Sequence, residues 1–175
     1  VNPIATLIKP STVRFERLLP GPLERVWAYV VDAKKRATWF CGGEFELRVG
    51  GRVELHFDNA HLTDELPPPG AMGANPMSFE GKVTRLEPMR LLAFTWNWDS
   101  GPTEVTFELE PRGKEVLLTI HHKLPDDRGA KLAVGGGWAA HVGILADLLE
   151  GKKARPFFST AAREQKAFEA AAMAD

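Results

Sequence analysis

The sequence predicts an α+β fold: a curved antiparallel sheet of about seven strands, with one long carboxy-terminal helix packed across it. Three observations carry this prediction. Apolar and polar residues alternate at period two over much of residues 45–124, the pattern of a sheet with one wet face. The breaks between these runs are short and rich in glycine and proline, so successive strands are neighbours. Finally, Trp138, His141, Val142, Leu145, Leu148 and Leu149 recur at the 3.6-residue period of an amphipathic helix.

Taken in order, the elements begin with a strand around Val13–Leu19, ended by Pro20-Gly21-Pro22. Leu23, Val26, Trp27 and Val30 then have helical spacing over Leu23–Val31, with Pro22 near the first turn, where a missing N–H does no harm. Asp32 is placed to cap a second short helix reaching about Phe40. Phe45-Leu47-Val49 and Val53-Leu55-Phe57 each set apolar side chains on one face, and Gly50-Gly51 between them suits a hairpin turn. A proline- and glycine-rich stretch, Asp58–Met77, interrupts the series. Loops longer than about 12–15 residues are often lids or mobile segments. Strands resume around Phe79–Gly81, Leu92–Trp98, Val105–Glu110 and Val116–Leu124. A loop bearing Asp126 and Asp127, and the run Gly135-Gly136-Gly137, lead into the long helix.

The back of that helix carries Ala139, Ala140, Gly143 and Ala146, small and apolar where a solvent face would carry lysine and glutamate. Ser159–Ala174, after Phe157-Phe158, is alanine-rich and helical in composition. It is expected to cover this small-residue face, either within the same chain or in a homodimer. The expected division is therefore one domain over residues 1–156 and a helical extension over 157–175.

Bulk properties exclude several classes of function. A net charge of −1 over 175 residues gives no electrostatic footprint for nucleic acid or for an anionic membrane. The apolar runs fall short of the ~20 residues that span a bilayer, and Val1–Pro10 lacks the pattern of a secretory signal. The single cysteine, Cys41, rules out an intrachain disulfide framework and suits a reducing compartment. A cytoplasmic protein is the expectation.

A curved sheet gripping one long helix is the helix-grip architecture. The ordered series Trp39-Phe40, Gly50-Gly51, Phe79-Glu80-Gly81 with Glu87-Pro88, Leu92–Trp96, Val105–Glu110, Leu117–Pro125 and Gly137-Trp138 resembles the activator of heat-shock protein 90 ATPase homologue family, of the START-like superfamily. The resemblance runs from about Val13 to Gly151. It implies an internal cavity between sheet and helix, commonly used for apolar or aromatic ligands. The family has no universal catalytic set, so none is carried over. Chaperone contact in its eukaryotic members is made largely by a separate amino-terminal domain. Only about a dozen residues precede the first expected strand here, which argues against a chaperone as the main partner.

On that reading the ligand-binding candidates are Trp39, Phe79, Phe94, Trp96, Trp98, Phe107, His122, Trp138, His141 and Leu145. The aromatic residues among them suit an apolar pocket, and tryptophan adds an N–H handle; the plain alternative is an ordinary core. His141, on the apolar stripe, is either a ligand-orienting or proton-transferring group or a core histidine paired with a neighbour. His121 and His122 point to opposite faces of their strand and cannot ligate one ion; His122 shares the apolar face and could meet His141. No metal or cofactor is expected. Cys41 has no local base to activate it, and Gly135-Gly136-Gly137 lacks the lysine and hydroxyl residue of a phosphate loop. His61, Asp64 and Glu65 form at most a weak cation site in a solvated loop.

Three functions follow from these expectations. The favoured one is binding of a small apolar or aromatic molecule without catalysis. The second is a cyclase- or dehydratase-type enzyme, with His141 or His122 as acid–base and Glu80 or Asn97 as partner. The third is a protein–protein module that activates a chaperone ATPase.

Overall fold

The computed structural model describes residues 4–9 and 11–174; Val1–Pro3, Pro10 and Asp175 of the segments discussed above lie outside them. Among the described residues seven strands form one antiparallel sheet: β1 (Thr6–Lys9), β2 (Thr12–Pro20), β3 (Arg52–Phe57), β4 (Met77–Glu87), β5 (Leu91–Trp98), β6 (Gly101–Arg112) and β7 (Glu115–Lys123). Their order across the sheet is β1-β2-β7-β6-β5-β4-β3. Four helices complete the chain: α1 (Leu23–Val31), α2 (Ala33–Ala37), α3 (Arg128–Leu149) and α4 (Phe157–Ala174). The sheet, its curvature and the long helix are those the sequence predicts, but the strand count is reached by a different route.

The expected hairpin over residues 45–57 forms in part: the chain turns at Gly50-Gly51 and pairs back on itself, but residues 45–49 make no regular strand. Phe45 bridges to Val53 and Gly42 to His56, and Glu46 N donates to Arg52 O at 2.9 Å, while Leu47 and Val49 are left exposed. Gly51 N closes the turn onto Arg48 O at 2.8 Å, and the same pair reaches β4: Gly50 N donates to Val83 O at 2.8 Å, and Val83 N donates to Gly51 O at 2.9 Å. These glycines both reverse the chain and extend the ladder to β4. The lost strand is offset by β1, four residues long, which has too little alternation to be read from the sequence and which puts both short helices after the second strand. Curvature enters at Gly81, where a Cβ would lie 1.6 Å from the Thr95 carbonyl oxygen. Any side chain there would push β4 away from β5, so glycine permits the close crossing that brings β3 round over the concave face.

The turn from α1 into α2 is held by Asp32 and Arg36. The Asp32 carboxylate accepts from Lys35 N at 2.8 Å, the expected cap, although α2 stops at Ala37 rather than near Phe40. Arg36 is fully buried without a carboxylate partner. Its Nη1 donates to the carbonyls of Val30 (3.1 Å) and Val31 (3.2 Å), its Nη2 donates to Gly43 O, and its guanidinium lies 3.7 Å from the centroid of the Phe45 ring. Val30 and Val31 supply the last carbonyls of α1, which have no intrahelical partners and sit at the negative end of the helix dipole, so a cation is favoured there. Arg36 thereby ties the helical pair to the segment entering β3.

The largest revision concerns α3. It begins at Arg128, so the three glycines lie inside the helix rather than ahead of it. Counted from there, α3 is long and apolar enough by length and composition to cross a bilayer, but 78% of that stretch is buried within the fold. It is the core helix. Trp138, Val142 and Leu145 are buried on one side, and Ala139, Ala140 and Ala146 on the other. The second side is covered by α4 of the same chain: a Cβ on Gly135 would meet the Phe168 ring at 2.5 Å, and one on Gly136 would meet Ala161 O at 2.6 Å. Small residues here set how closely the two helices approach.

The connection between α3 and α4 is folded back by one ion pair. The Asp147 carboxylate accepts from Arg155 N (2.9 Å), Nε (2.8 Å) and Nη2 (2.8 Å), which holds its carboxyl below the usual range. At the same end, Arg25 of α1 donates from Nη1 to Leu149 O at 3.1 Å, capping the carboxy terminus of α3 with a cation.

Gly136 and its neighbour Gly137 provide a test of the helix contact. Alanine is favoured over glycine in a helix by about 1 kcal/mol. Gly137 has open space where a Cβ would go, so Gly137→Ala should stabilise by up to that amount. Gly136→Ala should destabilise by about 1–3 kcal/mol, because its Cβ would press on backbone. Urea unfolding of the two variants reads the opposite signs directly.

Candidate functional site: an aromatic layer between sheet and helix

Residues of β3, β5, β6 and β7 face α3 across a continuous layer of rings. Phe40, in the segment after α2, sits at its centre. Its ring centroid lies 4.8 Å from Trp138, 5.1 Å from Phe57, 5.3 Å from His141 and 6.0 Å from Trp96. Trp96 is sandwiched between Phe57 (4.9 Å, stacked) and His122 (5.4 Å, stacked). Phe107 packs edge-on to Trp138 at 5.6 Å, and Phe94 lies between Phe45 and Phe107. The predicted ligand-binding residues thus divide by depth. Trp39, Phe94, Phe107 and Leu145 are buried at the base, whereas Phe79, Trp96 and Trp98 are half-buried along one rim.

The rings fill this layer by packing on one another. Two open surface clefts lie elsewhere, of about 380 Å³ beside Pro22 and Lys114 and about 510 Å³ beside Met89 and Leu117. Neither is lined by any of the ten predicted residues.

Two histidines lie in the layer without touching, on either side of Trp138. His122 is completely committed. Trp138 Nε1–H donates to its Nδ1 at 3.2 Å, so its proton sits on Nε2, which donates to Thr103 Oγ1 at 2.8 Å. The Thr103 hydroxyl then donates to Trp96 O at 3.0 Å. This chain is fixed from end to end, because an indole only donates and a carbonyl only accepts. Burial, with no opposite charge in contact, pushes the His122 pKa down to about 3.

His141 is committed at only one nitrogen. Its Nδ1–H donates to Trp39 O at 2.8 Å, leaving the Nε2 lone pair with no hydrogen bond among the described residues. Burial lowers its pKa to about 4, the bond to Trp39 O opposing the shift. The imidazole is enclosed by Phe40, Phe57, Trp138 and Phe157, the last with its centroid 4.7 Å away. A second unpaired group lies nearby: the indole N–H of Trp96 is buried and has no partner. One acceptor and one donor therefore flank Phe40 and Phe57.

Other residues singled out in the sequence are dispersed. Glu80 points outward and accepts from Arg52 Nη2 at 2.7 Å, and Asn97 is exposed, so neither accompanies a buried histidine. His121 lies on the opposite face of β7 from His122. Cys41 is buried, and burial raises its thiol to about 12, the opposite of activation. His61, Asp64 and Glu65 do not converge: His61 bonds Asp58 at 2.7 Å, Asp64 pairs with Lys153 at 2.8 Å, and Glu65 bonds the start of α4. Among the described residues no group of three metal-ligating side chains could hold an ion.

Phe40, Phe57, Thr103 and Phe157 belong to the layer but were not singled out. Phe57 and Thr103 carried a usable signal, since each continues the inward alternation of its strand. Phe40 and Phe157 lie outside the strands and carried none.

The sequence profile of the family described as "Activator of Hsp90 ATPase homolog 1-like protein" matches residues 20–150. Among solved structures, a Bordetella parapertussis protein is 43% identical, over 94% of this chain and 87% of that one, with a TM-score of 0.79. CalU16 from Micromonospora echinospora is 21% identical over 91% and 86% of the two chains (TM-score 0.69), a likeness of fold alone. DynU16, of the dynemicin biosynthetic locus, is 26% identical over 83% of this chain and 49% of that one (TM-score 0.63). No curated protein matches.

The two neutral histidines make acid stability a readout of this site. A histidine with a lowered native pKa binds fewer protons folded than unfolded, so its contribution is intact above the unfolded value of 6.5 and declines as pH falls below it. Between pH 6.5 and 4.5 the unfolding free energy should fall with a slope approaching two protons, plus a smaller share from half-buried His121. His141→Asn should remove about one proton from that slope, measured by urea unfolding across the pH range.

Proposed function

The chain belongs to the Activator of Hsp90 ATPase homolog 1-like family, and on that premise we propose that it binds a small aromatic molecule bearing a hydrogen-bonding substituent. The molecule inserts into the ring layer between the sheet and α3. One observation carries this reading: an unpaired donor, Trp96 Nε1–H, and an unpaired acceptor, His141 Nε2, flank the same two phenylalanines. Buried polar groups are normally paired, and leaving the buried Trp96 N–H unpaired costs about 1–3 kcal/mol. A hydroxyl on the ring would satisfy either group, and a carbonyl the Trp96 N–H, while its faces stack on Phe40, Phe57 and Trp96. The fold shared with DynU16, a protein of a biosynthetic locus, supports a small-molecule cargo.

Binding is favoured over catalysis because the acid–base apparatus is incomplete. His122 has both nitrogens occupied, and the carboxylate and amide considered as partners lie on the outer face. Neutral His141 retains a single lone pair, which is enough to orient a donor but has no second group to complete a proton relay.

A titration with 1-naphthol, and with naphthalene as a control, tests the proposal. The chain has five tryptophans, hence five indole N–H signals in a ¹⁵N-resolved spectrum. The hydroxylated probe should shift the Trp96 signal strongly. Trp96→Phe should weaken 1-naphthol binding by about three- to tenfold while leaving naphthalene nearly unchanged, the size of one neutral hydrogen bond. Equal losses for both probes, or no shift at millimolar 1-naphthol, would remove the reading.

A further inference from the structure

The amino terminus of α4 is capped from a distant part of the chain. Phe158 N donates to Glu65 Oε2 at 2.7 Å, Ser159 N donates to both carboxylate oxygens at 3.1 and 3.2 Å, and Phe157 N donates to Thr63 Oγ1 at 3.3 Å. The first four N–H groups of a helix have no intrahelical acceptors and carry the positive end of the dipole, so a carboxylate is well suited there. The preceding residue, Pro156, supplies no side-chain acceptor. The cap comes instead from residues 58–76, the stretch between β3 and β4, in which the regular structure is a short 3₁₀ turn at Asn59–His61.

That stretch is attached narrowly. Leu66 and Met72 are 88% and 79% exposed, and only Leu62 and Ala71 among its hydrophobic residues pack on the core. The neighbouring Asp64–Lys153 pair is exposed on both sides and adds little. Beneath the fastening lies Phe157, its ring 4.7 Å from His141 and 5.1 Å from Phe158, both phenylalanines buried. Further along, α4 is held independently, by Ala161 and Gln165 on Gly136 and by Phe168 on Gly135.

We infer that residues 58–76 and the first turn of α4 form one cover over His141, with the Glu65 carboxylate as its latch. Releasing Glu65 leaves the body of α4 docked on α3 but frees the turn at Phe157–Thr160, so that Phe157 moves off the imidazole and the Nε2 lone pair meets solvent or ligand. The packed interior is then the latched state, and entry to the layer is on the α4 side rather than at the Trp98 rim. The inference rests on the proposed binding site for its purpose, but the motion can be measured without any ligand.

Glu65→Ala, with the milder Glu65→Gln as a second variant, should raise amide exchange at Phe158–Thr160 at least tenfold while exchange in the second half of α4 and in β6 and β7 is unchanged. Modification of His141 by diethyl pyrocarbonate, followed by peptide mapping, should accelerate by a similar factor, with His122 still protected. Unchanged exchange at Phe158–Thr160 in both variants would overturn the latch. Faster exchange with His141 still protected would overturn the cover, as would equal exposure of His122, which signals global opening. Failure of 1-naphthol to bind would count against the proposed function alone, since neither readout uses it.

Discussion

The fold is organised by a helix that has almost no solvent face. Residues of α3 are buried against the sheet on one side and against α4 on the other, and its apolar side chains, each contributing roughly 1.5–3 kcal/mol when fully buried, are shared between two interfaces. The constraint is geometric as much as energetic. Gly135 and Gly136 let α4 approach to a distance that no side chain would permit, and that approach fixes the depth of α3 in the concave sheet. Trp138 and His141 project from the same helix, so their positions among the rings follow from a contact on its other side. Asp147 and Arg155 maintain the arrangement by returning the chain onto the glycine face within a few residues of the end of α3.

Within the layer, the burial that drives folding also decides the chemistry. A ring environment disfavours the charged imidazolium, and both histidines titrate well below neutral pH in consequence. Their neutral forms differ in what remains available. His122 spends its donor on Thr103 and its acceptor on Trp138, which makes it a connector between β6, β7 and α3. His141 spends only its donor, on the Trp39 carbonyl, a contact that ties α3 to the segment following α2. The two histidines thus differ by one unfilled lone pair, the one to which the proposed binding is assigned.

Much of this was legible in the sequence, for reasons that also explain what was not. The strands of the main sheet could be read because their inward residues, such as Phe94, Phe107 and Ile120, alternate with polar ones at a fixed period. The placing of His122 inside and His121 outside follows from that period alone. The small face of α3 announced a covering element, and α4 of the same chain supplies it. What failed were inferences from short signals. Gly50-Gly51 makes the turn its composition suggests, yet the regular strand expected before it does not form, and its backbone also pairs with Val83, a partner over thirty residues away. Gly135-Gly136-Gly137, expected as the lead-in to the long helix, lies inside it, because tertiary contact with α4 outweighs the poor helix propensity of glycine. Arg36 gave no sign of being buried, since its acceptors are backbone carbonyls and carry no sequence signature. For the same reason the Glu65 cap could not be seen: it joins two segments related only by the fold.

A closed interior and a binding function are compatible only if opening is local, and the distribution of contacts makes it so. The base of the aromatic layer is anchored in β5, β6 and β7, where each strand has two neighbours and each ring several others. Unseating it would cost much of the stability of the fold, of which a typical domain has only about 5–15 kcal/mol. The α4 side is different in kind. There Phe157 is held over His141 by a helix turn whose N–H groups depend on the half-buried Glu65 carboxylate and the Thr63 hydroxyl, both from an otherwise weakly attached loop. Helix ends are already the least stable part of a helix, and regions with few buried contacts open at a fraction of the global free energy. Both unpaired groups of the layer adjoin Phe40 and Phe57, and His141, the one beneath Phe157, is uncovered by the least expensive motion. On the proposed reading the open lone pair of His141 lies where a local opening reaches it, and the completed network of His122, Thr103 and Trp138 where it does not.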